Sequence, residues 1–442
     1  MNLQNALANI GITELSDMQQ AVGNAFVASD NDIVVLSPTG TGKTLAYLLP
    51  LLNAVDTESD ELQAVVIVPG RELAQQSAMV VKDMRCGVRS YACYGGRPTM
   101  DEHRQLRQQK PHVVFATPGR LNDHLDKENI NSQSIKYLVI DEFDKCLMMG
   151  FHDEMSRLIR RLPFVTKRIL LSATDADSIP QFVKMGRTTR LDYTSPSDES
   201  TGERLQIFSV HSPERDKLST LRHLLLNLGN ASSIVFLNHR DAVERVAAYL
   251  TDMGFMPVVF HGGLDQRQRE EALYRFVNKS AYVLVCTDLA SRGLDIPDVS
   301  NIIHYHLPEG EQGYIHRVGR TARWDAKGRS FFILSPGEVL PSYLDNVNIP
   351  DYDIPVDGLN DCPLQPVMTT LYIGKGKHDQ LSKGDIVGFL CKKGGLTAAE
   401  IGRIDVNEWY SYVAVLRTKS EQVLRQVSNE KIKGLKTVIE EK

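Results

Sequence analysis

From about residue 30 to 190, short runs of Val, Ile and Leu alternate with helical patterns, and this alternation restricts the possible folds more than any other feature. The runs are Ile33-Val-Val-Leu36, Ala64-Val-Val-Ile-Val68, His112-Val-Val-Phe-Ala116, Tyr137-Leu-Val-Ile140 and Arg168-Ile-Leu-Leu171. Strands that are apolar at nearly every position need cover on both faces, which a parallel sheet flanked by helices provides. The polar segment 192–203 reads as a linker. The alternation then restarts with Ile207-Phe-Ser-Val210, Ser233-Ile-Val-Phe-Leu237, Pro257-Val-Val-Phe260, Tyr282-Val-Leu-Val285, Asn301-Ile-Ile-His304 and Ser330-Phe-Phe-Ile-Leu334. A second irregular stretch, about 341–365, precedes a smaller unit with the order β-α-β-β-α-β. The expectation is an α/β domain over 1–195, another over 205–340, and a small α+β domain over 366–442.

A chain of 442 residues is long enough for two to three domains. The net charge of −5 gives no overall sign of a nucleic-acid binder, so any basic surface has to be local. Residues 366–442 supply one, with thirteen Lys/Arg against nine Asp/Glu. The six cysteines show no metal-ligand spacing and no paired motif, which favours reduced thiols. The first residues lack a basic segment followed by an apolar core, and Leu45–Val55 is too short to span a bilayer. A cytoplasmic protein with no membrane contact is expected.

Ser37-Pro-Thr-Gly-Thr-Gly-Lys-Thr44 lies between an apolar strand and a helix-like run. That context suits a phosphate cradle: glycines let backbone N–H groups close around phosphate oxygens, Lys43 reaches the β/γ-phosphates, and Thr44 can ligate Mg²⁺. Ser37 stands where the general pattern has Gly, and an ordinary Gly-Lys turn is the competing reading. Downstream, the strand ending at Ile140 runs into Asp141-Glu142-Phe143-Asp144, and Ser172-Ala-Thr174 follows the next strand. Paired acids after a strand can hold Mg²⁺ and polarise water, although a solvated helix start has the same pattern. In the second α/β region, Arg317, Arg320 and Arg323 recur at three-residue spacing, expected on one helical face that binds anions or pairs with acids.

The order of these segments resembles a DEAD-box RNA helicase of superfamily 2, over about residues 3 to 335. The resemblance also takes in Gln19, Pro69-Gly-Arg-Glu-Leu-Ala-Gln75, Gly95-Gly96, Thr117-Pro-Gly-Arg120, His261-Gly-Gly-Leu-Asp-Gln-Arg-Gln-Arg269 and Thr287-Asp-Leu-Ala-Ser-Arg-Gly-Leu-Asp295. It implies two tandem RecA-like domains and an RNA-stimulated ATPase using ATP and Mg²⁺. Gln19 would read the adenine edge. Ser37, Thr39, Gly40, Thr41, Gly42, Lys43 and Thr44 would hold the phosphates, and Asp295 would contact the ribose. Thr44 and Asp141 would share Mg²⁺, Glu142 would activate water, and Arg320 and Arg323 would face the γ-phosphate. Asp144, Ser172, Thr174, His316 and Arg317 would couple nucleotide state to domain closure. RNA backbone would lie across Arg71, Gly96, Thr117, Arg120, Gly262, Arg269 and Thr287, mostly through phosphate.

Several positions depart from that family's pattern. Phe143 replaces Ala in the acidic tetrapeptide, placing a bulky ring near the P-loop. Ile12 and Leu15 replace an aromatic residue and Pro in the adenine motif, and Gly70 replaces Thr. The third unit resembles the RRM-like RNA-binding domain of DbpA-type helicases, which anchors them to large-subunit ribosomal RNA. Lys375, Lys377 and Arg403 are candidates for its basic surface. Tyr410 and Tyr412 alternate along a strand, so they share a face and either stack bases or pack in a core. The expected function is unwinding of short RNA duplexes during ribosome assembly by a monomer. A general RNA chaperone or decay helicase, or an ATP-gated RNA clamp, is the alternative.

Overall fold

The computed structural model describes residues 3–38, 41–96, 99–173, 179–194, 205–291, 296, 299–321, 328–345, 347–355, 361–428 and 430–442. The chain divides into two compact units, one holding the first sheet and the other holding the second and third.

The first sheet comprises β1 (Asp32–Leu36), β2 (Ala64–Ile67), β3 (Ser90–Cys93), β4 (Val113–Ala116), β5 (Tyr137–Ile140), β6 (Lys167–Ser172) and β7 (Thr188–Asp192). All pairings are parallel, in the order β3-β4-β2-β5-β6-β1-β7. Successive side chains of a strand point to opposite faces, and both faces here are cores. Ile33 and Val35 join one apolar layer with Tyr47, Leu51 and Val66. Val34 and Leu36 join the other with Ile67, Ile140 and Leu170. The uninterrupted apolar runs follow from that double burial.

The second sheet repeats the plan with β8 (Leu205–His211), β9 (Ser233–Phe236), β10 (Val258–Phe260), β11 (Val283–Cys286), β12 (Asn301–His304) and β13 (Gly328–Leu334). Its order is β10-β11-β9-β12-β13-β8, again parallel. The six cysteines are all unbridged. Among the described residues no helix is long and apolar enough to cross a membrane.

The third sheet is antiparallel, ordered β15-β16-β14-β19 from β14 (Met368–Ile373), β15 (Ile401–Val406), β16 (Ser411–Leu416) and β19 (Ile439–Glu441). A short hairpin of β17 (Lys431–Ile432) and β18 (Leu435–Lys436) precedes β19. With helices Lys383–Lys392 and Arg417–Val427 this is the expected β-α-β-β-α-β order. Leu371, Ile373, Val413 and Val415 point into the core beneath those helices. Thr370, Tyr372 and Tyr412 occupy the opposite face, and that face is covered by the second α/β domain.

The cover is helix Gln266–Val277. Tyr274 stacks on Tyr412 with ring centroids 5.1 Å apart. The Arg267 guanidinium lies 4.6 Å from the Tyr372 ring centre and 5.7 Å from that of Tyr410. Asn278 donates to the Thr370 hydroxyl at 2.9 Å, and the Tyr410 hydroxyl donates to Glu270. Tyr412 retains 1% of its exposure. The expectation that a base stacks on Tyr412 is therefore corrected: its ring is occupied by the neighbouring domain, with Arg and Tyr taking the places that bases would fill. A double-mutant cycle of Tyr274→Ala and Tyr412→Ala, read by urea unfolding, should give a coupling of about 0.5–1.5 kcal/mol, the scale of an aromatic pair.

Candidate ATP and RNA sites

Parallel strands aim their carboxyl ends, and the N-termini of the following helices, at one edge of the sheet, where anionic ligands are favoured. At the end of β1 the chain turns into helix Lys43–Ala54 through Gly42, whose φ is +84°. The Lys43 ammonium donates to the carbonyls of Ser37 at 2.5 Å and Pro38 at 2.9 Å. Burial pulls its pKa down to about 8, against the opposing charges of Asp141, Glu142 and Asp144. The Ser37 and Thr41 hydroxyls lie 2.7 Å apart and Thr41 also donates to Pro38. Thr39 and Gly40 lie outside the described residues. Gln19 caps its own helix by accepting from the Ser16 amide at 3.0 Å, while its Nε2 donates to the Gly42 carbonyl at 3.3 Å. Gln19, expected at adenine, is thus physically tied to the loop expected at phosphate.

Asp141 directly follows β5, with 2% exposure. Burial and then the Glu142 charge raise its pKa to about 7, with Lys43 pulling the other way. Glu142 adopts a left-handed conformation, φ +51°, rare for a residue with a side chain and typical of sites held under local strain. Its amide donates to Asp141 at 2.9 Å. Its carboxylate accepts from the buried Lys145 at 2.6 Å, one helical turn on. Asp144 accepts from the Ala173 amide at 3.3 Å, and Ser37 donates its amide to the Ser172 carbonyl at 3.0 Å. The acidic segment, the phosphate loop and the Ser172 segment therefore form one hydrogen-bonded group. Thr174 lies outside the described residues. Phe143 is fully buried in the apolar layer containing Leu36, Leu170 and Val183, so its ring serves as core. The hydroxyl of Thr44 and the carboxylate of Asp141 are oxygen donors of the type Mg²⁺ prefers, and a cation there would favour the ionised form of Asp141.

Along the same sheet edge, beyond β2, β4 and β3, lie the residues expected at RNA. The Arg71 guanidinium rests over Gly95 and Gly96. Thr117 begins helix Pro118–Asp126, its amide bonded to the Cys93 carbonyl at 3.1 Å. Arg120 is more enclosed than a surface phosphate contact. It donates to the Tyr94 carbonyl at 3.2 Å and to Thr99 at 2.5 Å, and pairs with Glu102 at 3.3 Å. Glu102, unremarked in the sequence, also accepts from the Tyr94 amide at 3.2 Å and lies 3.0 Å from His124.

In the second domain the ends of β10 and β11 bring Gly262, Arg269 and Thr287 together. Arg269 donates to the Gly262 carbonyl at 2.9 Å, and the Thr287 amide bonds to Phe260 at 3.2 Å. Helix Glu311–Val318 carries His316 and Arg317 but ends at Gly319. Arg320, buried, falls beyond it, so the expectation of three arginines on one helical face is corrected: the helix stops before the second. Arg323 and Asp295 lie outside the described residues. Arg317 has no exposed surface. It forks onto Asp288 at 2.5 and 3.0 Å, and donates to the His306 carbonyl at 2.7 Å and to Asn238 at 2.9 Å. This arginine joins the ends of β9, β11 and β12.

The first sheet's edge thus carries an ATPase-like group, and sequence comparison identifies the domains. The DEAD/DEAH box helicase family profile matches residues 16–182, the helicase conserved C-terminal domain matches 216–325, and the DbpA RNA binding domain matches 370–441. The ATP-dependent RNA helicase DbpA of Escherichia coli is 33% identical over 434 residues, covering 97% of this chain and 94% of the relative. The chain is a DEAD-box ATP-dependent RNA helicase of the DbpA type. The Bacillus subtilis DbpA is 30% identical, with 97% and 95% covered. Among solved structures, S. cerevisiae Dbp5 bound to RNA and ADP BeF3 is similar at TM-score 0.66 and 28% identity, covering 75% of this chain and 87% of that one. Mss116p bound to ssRNA and AMP-PNP is similar at TM-score 0.71 and 25% identity, with 81% and 78% covered.

Lys375 and Arg403 of the helicase's third domain are paired with Asp379 at 2.8 Å and Asp405 at 3.0 Å, and the Lys377 amide donates to the Asn407 carbonyl at 2.8 Å. Replacing Arg317 with Lys keeps the charge but removes the fork. Urea unfolding of the Arg317→Lys variant should show a loss of about 2–3 kcal/mol, under the usual range for a doubly buried pair because Asp288 is 29% exposed.

Proposed function

We propose that this helicase binds ATP with Mg²⁺ and opens short RNA duplexes while its third domain holds it to large-subunit ribosomal RNA, in cytoplasmic ribosome assembly and as a monomer. The observation that carries the tethering reading is the docking of the basic third domain on helix Gln266–Val277. That helix also bears Arg269, so the tether and a candidate strand contact belong to one rigid element.

In this reading Gln19 recognises adenine, and the loop from Ser37 to Thr44 holds the phosphates with Lys43. Mg²⁺, held by Thr44 and Asp141, would supply charge neutralisation at the phosphates. Glu142, its carboxylate aimed by Lys145, orients the attacking water. Arg320 and Arg323 offset charge on the transferring phosphate, and Asp295 meets the ribose. Asp144, Ser172, Thr174, His316 and Arg317 link that chemistry to the RNA residues. Arg71, Gly96, Thr117, Gly262, Arg269 and Thr287 contact RNA backbone, with Arg120 shaping the loops around them. Such contacts are insensitive to base sequence and sensitive to salt. Choice among RNAs then rests with the third domain.

Two measurements check these roles. Lys43→Ala should lose ATP binding, whereas Glu142→Gln should bind ATP and RNA yet hydrolyse ATP slowly; wild-type turnover in Glu142→Gln would remove Glu142 from the reaction. Deleting 366–442 should preserve ATP hydrolysis at saturating unrelated RNA and abolish preference for ribosomal RNA. A truncated chain that still prefers ribosomal RNA would restore the general-chaperone reading.

A further inference from the structure

With the sheet face covered, the third domain needs another place to meet bases. Loop 407–410, between β15 and β16, presents Trp409 with 58% of its surface exposed, although an indole is among the costliest side chains to leave in water. Its ring lies 4.2 Å from that of His378, at 31°. His378 comes from the turn after β14, and the two loops are stitched together by their backbones. The Lys377 amide donates to the Asn407 carbonyl at 2.8 Å, and the His378 amide to the Glu408 carbonyl at 2.9 Å. The contact is close enough that any side chain at Gly376 would meet the Glu408 carbonyl at 2.6 Å. The indole is therefore held in one position before any ligand arrives, which lowers the entropic cost of binding.

Three lysines stand on the adjoining turn and hairpin. Lys375 and Lys377 belong to the same turn as His378. Lys433, from the β17–β18 hairpin, reaches the Gln380 carbonyl at 2.7 Å and Asp385 at 3.4 Å. Of the nearby acids, Asp379 and Asp385 are paired with Lys375 and Lys433, while Glu408 is exposed. An exposed flat aromatic face with lysines on the adjoining turn and hairpin suits a nucleobase whose flanking phosphates lie beside it.

We propose that Trp409, backed by His378, is the platform on which the third domain stacks one unpaired RNA base, with Lys377 and Lys433 facing the adjacent phosphates. The proposal rests on the RNA-tethering reading and locates it at the loop end of the sheet. Duplex RNA, whose bases are already stacked, offers no such partner.

The chain has two tryptophans, Trp324 and Trp409, so Trp324→Phe in the full-length helicase leaves Trp409 as the sole indole reporter. The probes are deproteinised large-subunit ribosomal RNA, a stem-loop RNA of unrelated sequence, and a blunt duplex. Trp409 emission should be quenched by loop-bearing RNA at saturation and not by the duplex. Trp409→Ala should weaken binding of loop-bearing RNA about tenfold or more, the scale of one base–aromatic stack, and Trp409→Phe should recover most of it. Unchanged emission with both loop-bearing RNAs overturns the proposal whatever the variants do, as does a folded Trp409→Ala chain of wild-type affinity. Equal quenching by the ribosomal and unrelated stem-loops supports the platform and removes the ribosomal tether.

Discussion

The ammonium of Lys43 is a charge that a protein interior resists, and the first unit is arranged to keep it there. Burial depresses its pKa while Asp141, Glu142 and Asp144 hold it up, and two loop carbonyls accept its hydrogen bonds. The carboxylates follow β5 and the carbonyls follow β1, so the charge ties those two strand ends into one network. Asp141 is in the converse position, pushed toward protonation by burial and drawn back by Lys43. A site poised in this way responds strongly to added charge, which is what the phosphates of ATP bring.

Arg317 does comparable work in the second α/β domain, with a different result. Its guanidinium uses its planar fork on Asp288 and spends its remaining donors on His306 and Asn238. Nothing of it is left for a ligand. It acts by fixing the ends of β9, β11 and β12 to one another. Burial also suppresses protonation of His304 beside it, keeping that ring neutral.

Most of the architecture is legible in the sequence because its signals are local. Strands buried on both faces have to be apolar throughout, and Gly42-Lys43 between strand and helix gains its meaning from the acidic segment after the strand ending at Ile140. The β-α-β-β-α-β order of the third domain follows from the same local patterns. What is not legible depends on long-range contact. The spacing of Arg317, Arg320 and Arg323 fits a helix, but Gly319 ends it. Tyr410 and Tyr412 share a face as alternation requires, and only the fold reveals that Tyr274 and Arg267 lie against it. Phe143 looks intrusive beside two acids, yet the turn at Glu142 sends its ring inward. Of the unanticipated residues, Lys145 is detectable by its spacing from Glu142, while Glu102 and Asn238 carry no signal apart from the fold.

The docked sheet face has a mechanical consequence. A tether on a flexible connection explores a volume set by linker length, and its effective concentration falls as the linker grows. Here aromatic stacking and hydrogen bonds, more than the length of 341–365, set where the third domain stands. The second and third domains therefore behave as a single lever with a fixed arm, and the distance between the third domain's loops and Arg269 is a property of the fold. Changes in connector length leave that arm unaltered, whereas one substitution at Tyr274 can turn the lever into a leash.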